Sequence, residues 1–275
     1  GDVCAQAGAD YTNPNDHPVA NSMGVAGIDV DAYYKVLESS GALKEYALGK
    51  RSGKQERVIR VDGNWEKVDP DLAAKARAIG MHTVTTTLHD NYFMFIKLNY
   101  RLEDCPSNRD VLAQGEYELR RRQFEALDLL KQLVPNSQNA FIARTSPSVT
   151  IRRGRCIVCD YDLSIDEILN ATHFRDDVFA YGFHDEAPRL QIRGGSTFGM
   201  PLRAIQVAGI RNLFAVGMMI TSDFHAHMST RNTVSCMAQG QAAGTAAALC
   251  AAAGLDEIRE LPYARLKAAL LKDGV

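Results

Sequence analysis

The sequence has almost no net charge, no long apolar run and no ordered cysteine framework, and each absence removes a class of function. Its 31 Lys and Arg against 33 Asp and Glu leave a formal charge of −2. That balance gives no electrostatic case for nucleic acid or for an anionic membrane surface. The most apolar stretch, around 233–253, is interrupted by Gln239 and Gln241, which leave a run well short of the ~20 residues that a membrane-spanning helix needs. Six cysteines at irregular spacings do not resemble a secreted disulfide scaffold. With no signal peptide visible, the expected compartment is the cytoplasm. Cys156-x-x-Cys159 has no second pair and no nearby histidine at zinc spacing, so no metal site is expected. The pair is either a coincidence on a strand or a redox couple. A G-x-G-x-x-G fingerprint is also missing. Its nearest approaches, Gly194-Gly195 with Gly199 and Gly24 with Gly27, do not open a helix after a strand.

What is present is an ordinary globular composition, 46% hydrophobic and 23% charged over 275 residues, with room for a sizeable core. The stretch that organises the chain runs from Asn212 to Gly254. Leu213–Val216, ending at Gly217, reads as a short buried parallel strand. A polar connection follows, carrying Ser222, Asp223, His225, His227, Ser229, Thr230 and Arg231. Asn232 or Thr233 then caps a long small-residue helix that stops at Gly254. Strand, polar loop and helix start are how α/β proteins hold an anion or a polar cofactor edge, because first-turn N–H groups lack intrahelical partners and the helix dipole favours negative charge. Gly240 and Gly244 each cost ~1 kcal/mol relative to alanine inside a helix. Close packing of this helix on a sheet is the expected reason.

Other elements are legible in outline. Residues 1–10 read as a short helix, and a helical run starts near Asp31. Val58, Ile59 and Val61 mark a hairpin arm, and Asp69–Ile79 has helical spacing. Tyr92–Leu102 alternates as an antiparallel strand. Glu116–Leu133 is a long helix whose Arg120-Arg121-Arg122 reads as a solvated face. Ser164-x-x-Glu167 is a capping box, and Leu261–Gly274 is a terminal amphipathic helix.

Several of these residues carry a resemblance. Asn212-Leu213, Ala215, Gly217, Ser222, Ala226, Arg231 and Gly240-Gln241-Ala242-Ala243-Gly244-Thr245 fall in places that resemble the C-terminal signature of the FAD-dependent oxidoreductase family, within the glutathione-reductase-like superfamily. Val149–Ile157 followed by Asp160-Tyr161-Asp162-Leu163 is similar to a second stretch of that family. Met218 departs from it, standing where the family usually has arginine.

The resemblance implies an α/β fold: the closing part of an FAD-binding three-layer domain (1–12 and 201–275) plus an α+β substrate, or cap, domain with an antiparallel sheet (13–200). It implies FAD as cofactor and a small organic substrate. Contacts to FAD are expected from Gly1, Asp2, Gly217, Ser222, Arg231, Asn232 and Thr233. Hydride would pass between flavin and substrate, with His225 or His227 as base, since imidazole is the side-chain type that titrates near neutral pH. Either histidine can equally be structural. Arg155, with Arg152 three residues before it, can present fixed donors to a substrate or tie elements together through carbonyls. The pyrophosphate fingerprint would lie outside this chain, either in a missing N-terminal part or on a second chain carrying the G-x-G-x-x-G half. A flavin-less interaction or regulatory subunit that keeps the fold is the alternative.

Overall fold

The computed structural model describes residues 1–184 and 190–275. The chain forms two compact units, one made of Gly1–Asp16 with Arg152–Val275 and the other of His17–Ile151. The fold is mixed α/β, with several small antiparallel sheets of two or three strands among the described residues.

The chain opens with α1 (Asp2–Gln6) and β1 (Tyr11–Thr12). The 17–151 unit follows, with β2 (Val19–Ala26), α2 (Val30–Ser39), β3 (Leu43–Arg51), β4 (Lys54–Gly63), α3 (Pro70–Ala78), β5 (Thr85–Thr86), β6 (Tyr92–Tyr100), α4 (Arg109–Leu133) and β7 (Phe141–Thr145). Its helices start where acceptor side chains sit. Asp29 Oδ1 takes the Ala32 amide at 2.9 Å, Asp69 takes Asp71 and Leu72 with Pro70 at the first helical position, and Asn108 takes Asp110 and Val111. The Asn108 cap starts α4 seven residues before the expected Glu116. Ser52 and Gly53, both at positive φ, join β3 to β4 by the two-residue turn whose twist matches the strands. β2 lies between β6 and β7, both antiparallel, so Tyr92–Tyr100 is the antiparallel strand that its alternation predicts. α4 covers this sheet with Leu119, Ala126 and Leu130, all 0% exposed. The three consecutive arginines serve different ends. Arg121 pairs with Glu118 and Glu125 on the surface, and Arg122 lies 4.7 Å over the Tyr100 ring. Arg120 reaches the Thr145 hydroxyl and the Ser146 and Pro147 carbonyls.

The chain then returns through β8 (Cys156–Ile157), α5 (Ile165–Leu169), β9 (Asp177–Tyr181), β10 (Phe198–Pro201), α6 (His227–Thr230), α7 (Thr233–Ala253) and α8 (Tyr263–Lys272). The capping box of α5 forms in both directions, Ser164 with Glu167. Residues 152–200 were expected within the cap, yet they pack with the unit that holds both ends of the chain. The cause is apolar matching: Val178, Phe179, Phe198 and Met200 share one cluster with Ala242 and Ala246 of α7 and Leu266 and Leu270 of α8.

Two expectations are overturned here. Leu213–Val216 is not a parallel strand. It crosses 205–207 in antiparallel fashion through Val207 N to Leu213 O (3.1 Å) and Ala215 N to Ile205 O (2.9 Å), folded back by the turn at Gly209, φ 73°. Gly240 and Gly244 do not pack closely either: both face outward, and a Cβ at either would meet nothing within 4 Å. The buried face of α7 is Gln239, Ala242, Ala246 and Cys250 instead.

Gly199 is different. A Cβ there would come within 1.9 Å of the Asp177 carboxylate, which is held by His173 Nδ1 at 2.8 Å and the Phe174 amide at 3.0 Å. Gly199→Ala is therefore expected to destabilise the protein by about 1–2 kcal/mol, read as a lower urea midpoint at unchanged slope.

Candidate functional site

The polar segment after Gly217 is built as a series of short tethers. Gly217 has φ +82°, in the left-handed region that favours glycine, and opens a 3-10 turn over Gly217–Met219. Its amide donates to Gln239 Oε1 at 2.6 Å. Ile220 and Ser222 then run parallel to β8 and the chain that follows it, bridging Ile157 and Leu163. β1 flanks β8 on its other side, pairing Tyr11 with Ile157 and Thr12 with Cys156. This brings the first residues of the chain to the Gly217 turn, with the Gly1 nitrogen 3.2 Å from Met219 Sδ.

Arg155 and Asp2, both candidate site residues, are partners. Arg155 Nη1 donates to Asp2 Oδ1 at 2.7 Å, Nε donates to Asn13 Oδ1 at 3.3 Å, and the guanidinium stacks 4.5 Å over Tyr11. A Cβ on Gly1 would meet the Arg155 carbonyl at 3.0 Å, so the backbones approach closely there. The neighbouring Arg153, which the sequence does not single out, is more deeply placed. At 9% exposure it donates to Asp16 Oδ2 at 2.9 Å and to the Ser222 carbonyl at 2.7 Å.

Asp223 is exposed, yet its carboxylate is occupied, taking the Ala226 amide at 2.7 Å and the Ile165 amide at 2.5 Å. It starts a helical turn that leads into α6, with His227 N bonded to Asp223 O and Met228 N to His225 O. The polar connection is thus locally helical. The two histidines still part company, because two helical residues are ~200° apart. His225 is exposed, with its ring edge-on to Phe224 and its carbonyl taking a hydrogen bond from His184 Nε2 at 2.9 Å. His227 is 0% exposed and donates from Nε2 to the Arg152 carbonyl at 2.8 Å. The Nε2 of His227 is committed as a donor, and its ring is a tether.

Arg231, at the end of α6, is half-buried with Nη2 3.5 Å from Met228 Sδ. Asn232 occupies the N-cap position of α7 by backbone alone. Its side chain does not cap the helix but donates to the Met228 carbonyl at 2.8 Å. Thr233 and Val234, the first helical residues, are exposed. Thr230 Oγ1 and Ser222 Oγ are buried and without hydrogen-bond partners among the described residues. A helix start that no side chain caps fits the polar edge of a flavin. The nucleotide end is not matched in the same way. Gly194 and Gly195, at φ 66° and 64°, lie in a 3-10 turn over Arg193–Gly195 and open no α-helix.

The two paired-spacing cysteines are thiols in this structure. Burial pushes the Cys159 thiol up to about 12, which disfavours its thiolate form. Among the described residues no three His, Cys, Asp or Glu side chains gather where they could hold a metal ion, and no helix is long and apolar enough to cross a membrane.

Arg153 and Gln239 lie outside the sequence-based candidates for a common reason. Nothing local marks a residue whose partners sit 69 and 22 positions away. Neither the curated proteins nor the solved structures contain a match to this chain. The family described as FAD dependent oxidoreductase does match, over residues 1–270, and the chain therefore belongs to that family, with FAD as its cofactor.

Proposed function

We propose that this chain supplies the flavin-edge contacts and the substrate side of an oxidoreductase that passes hydride between FAD and a small organic molecule. The observation that carries this reading is the way the 217–231 segment is tied down. Gln239, Arg153 and His227, all buried side chains, hold it by hydrogen bonds, while His225 faces outward and the first turn of α7 keeps its N–H groups clear of any side-chain cap. FAD, when bound, supplies the two-electron acceptor. The residues nearest it in this assignment are Gly1, Asp2, Gly217, Ser222, Arg231, Asn232 and Thr233. The amides of Thr233 and the residues after it stabilise negative charge at the helix start. His225 takes or returns the substrate proton at its exposed imidazole. His227, bonded to the Arg152 carbonyl, positions the segment instead of reacting, and Arg155, bonded to Asp2 and Asn13, ties down the start of the chain. We assign the substrate role to the 17–151 unit, narrower than the 13–200 span that the sequence suggests.

The nucleotide half, with its glycine-rich cradle, is assigned to polypeptide outside these residues, on the same chain or a second one. Against α7 it would meet an outward face that carries Met237 and Gln241 as well as Gly240 and Gly244. A second reading, a flavin-less subunit that keeps the fold, draws on the same lack of a pyrophosphate cradle.

Titrating FAD separates the two. Residues 1–275 alone are expected to bind FAD weakly or not at all, and the assembled protein is expected to be yellow and to bleach on reduction. Tight stoichiometric FAD on the isolated chain would show the nucleotide site to be misplaced. An assembled protein that stays colourless when FAD is supplied would favour the flavin-less reading.

A further inference from the structure

Two glutamines flank Gly240 in α7 and have opposite fates. Gln241 is exposed, whereas Gln239 is 0% exposed. Burying a primary amide is costly unless both its acceptor and its donors are matched. Gln239 is matched at each end: Oε1 accepts from the Gly217 amide at 2.6 Å, and Nε2 donates to the Thr230 carbonyl at 2.7 Å and to Ser235 Oγ at 3.1 Å. Ser235 is itself 0% exposed, so this bond lies wholly inside the protein and fixes the Gln239 rotamer from within α7.

Gly217 and Thr230 are the two ends of the segment that carries Ser222, Asp223, His225 and His227. One side chain thus closes fourteen residues into a loop and fastens both ends to the second turn of α7. Only an amide of this length can do so. Leucine offers neither bond, and glutamate accepts from Gly217 but turns a second acceptor towards the Thr230 carbonyl. The Thr230 carbonyl also lies 3.8 Å from the Cys236 thiol, so the C-terminal end of the loop is gripped by two residues of α7.

We infer that Gln239 is a positioning residue, which sets where the loop, and with it His225, stands relative to the start of α7. Its consequence for chemistry rests on the function proposed above; the clamp does not.

Hydrogen exchange on the full-length protein tests the two parts separately. In Gln239→Leu, peptides covering 217–231 are expected to exchange roughly tenfold faster, the scale set by losing a buried hydrogen bond. Peptides from 245–253 are expected to keep wild-type rates. Gln239→Glu should loosen 228–231 more than 217–219, because it keeps one bond and opposes the other. Gln241→Leu should match wild type. Unchanged exchange over 217–231 in Gln239→Leu overturns the clamp. If that variant does not fold, Gln239→Glu decides: equal protection at both ends of the loop overturns it. With FAD bound, Gln239→Leu is further expected to slow flavin reduction by substrate and to shift the flavin absorbance bands at undiminished FAD content. A loosened loop with unaltered flavin spectrum and reduction rate leaves the clamp standing and removes the loop from the flavin.

Discussion

His225→Ala is expected to slow single-turnover reduction of the flavin by substrate about 10²–10⁴-fold, the usual cost of removing a general base, while FAD content and thermal stability stay near wild type. The stability half of this expectation follows from exposure. The His225 side chain faces outward, and the bond from His184 goes to its backbone carbonyl, which alanine keeps. His227→Ala should behave in the opposite way. Its ring is fully buried and bonded to the Arg152 carbonyl, so truncation leaves both a cavity and an unmatched acceptor. A loss of about 2–3 kcal/mol is expected, with the rate per bound flavin little changed. Rapid-mixing absorbance measurements on both variants, normalised to flavin, separate these cases. Equal and small effects on the rate would return both histidines to structural roles.

Arg51→Met is expected to give the largest loss of stability. The Arg51 side chain is 0% exposed, although it carries a charge. It is held by Asp31 at 2.6 Å, Asp90 at 3.1 Å and the Val58 carbonyl at 2.7 Å. Methionine matches its apolar stem but leaves Val58 without a donor and two carboxylates side by side. The expected cost is about 3 kcal/mol at neutral pH, at the lower end for breaking a buried pair because both carboxylates reach solvent. The effect should shrink on acidification. The hydrogen bond from Arg51 holds the Asp90 carboxyl below its ordinary value of 3.8. A depressed carboxylate pKa adds stability that is present above the ordinary value and is lost as pH falls through the folded one. Urea unfolding at pH 7 and near pH 3 checks this: a difference between variant and wild type that does not narrow in acid would rule the Asp90 pairing out as its source.

Much of the local architecture was legible in the residues themselves. Asp69 before Pro70, the Ser164–Glu167 box and Gly254 after the alanine run announce helix ends through bonds that span at most five residues. The alternation of Tyr92–Tyr100 marks a strand because one face of that sheet is buried. The family, too, is carried by short motifs that need no tertiary context.

What the tertiary structure alone decided are relations between distant residues. Leu213–Val216 has the composition of a buried parallel strand, but the turn at Gly209 folds it back on 205–207, and no local pattern chooses between those partners. The histidine pair looked symmetric until Asp223 started a helical turn that sent one ring inward to Arg152 and left the other outside. Gln239 read as a polar interruption of an apolar helix, yet it is the residue that fastens both ends of the loop. The sequence by itself announced the long helices and the family they belong to, because capping and periodicity act over a few residues, while the short helix His227–Thr230 was not legible in it. Which polar groups are buried together was decided only in three dimensions, because a hydrogen bond acquires its value from partners and burial that the rest of the chain supplies.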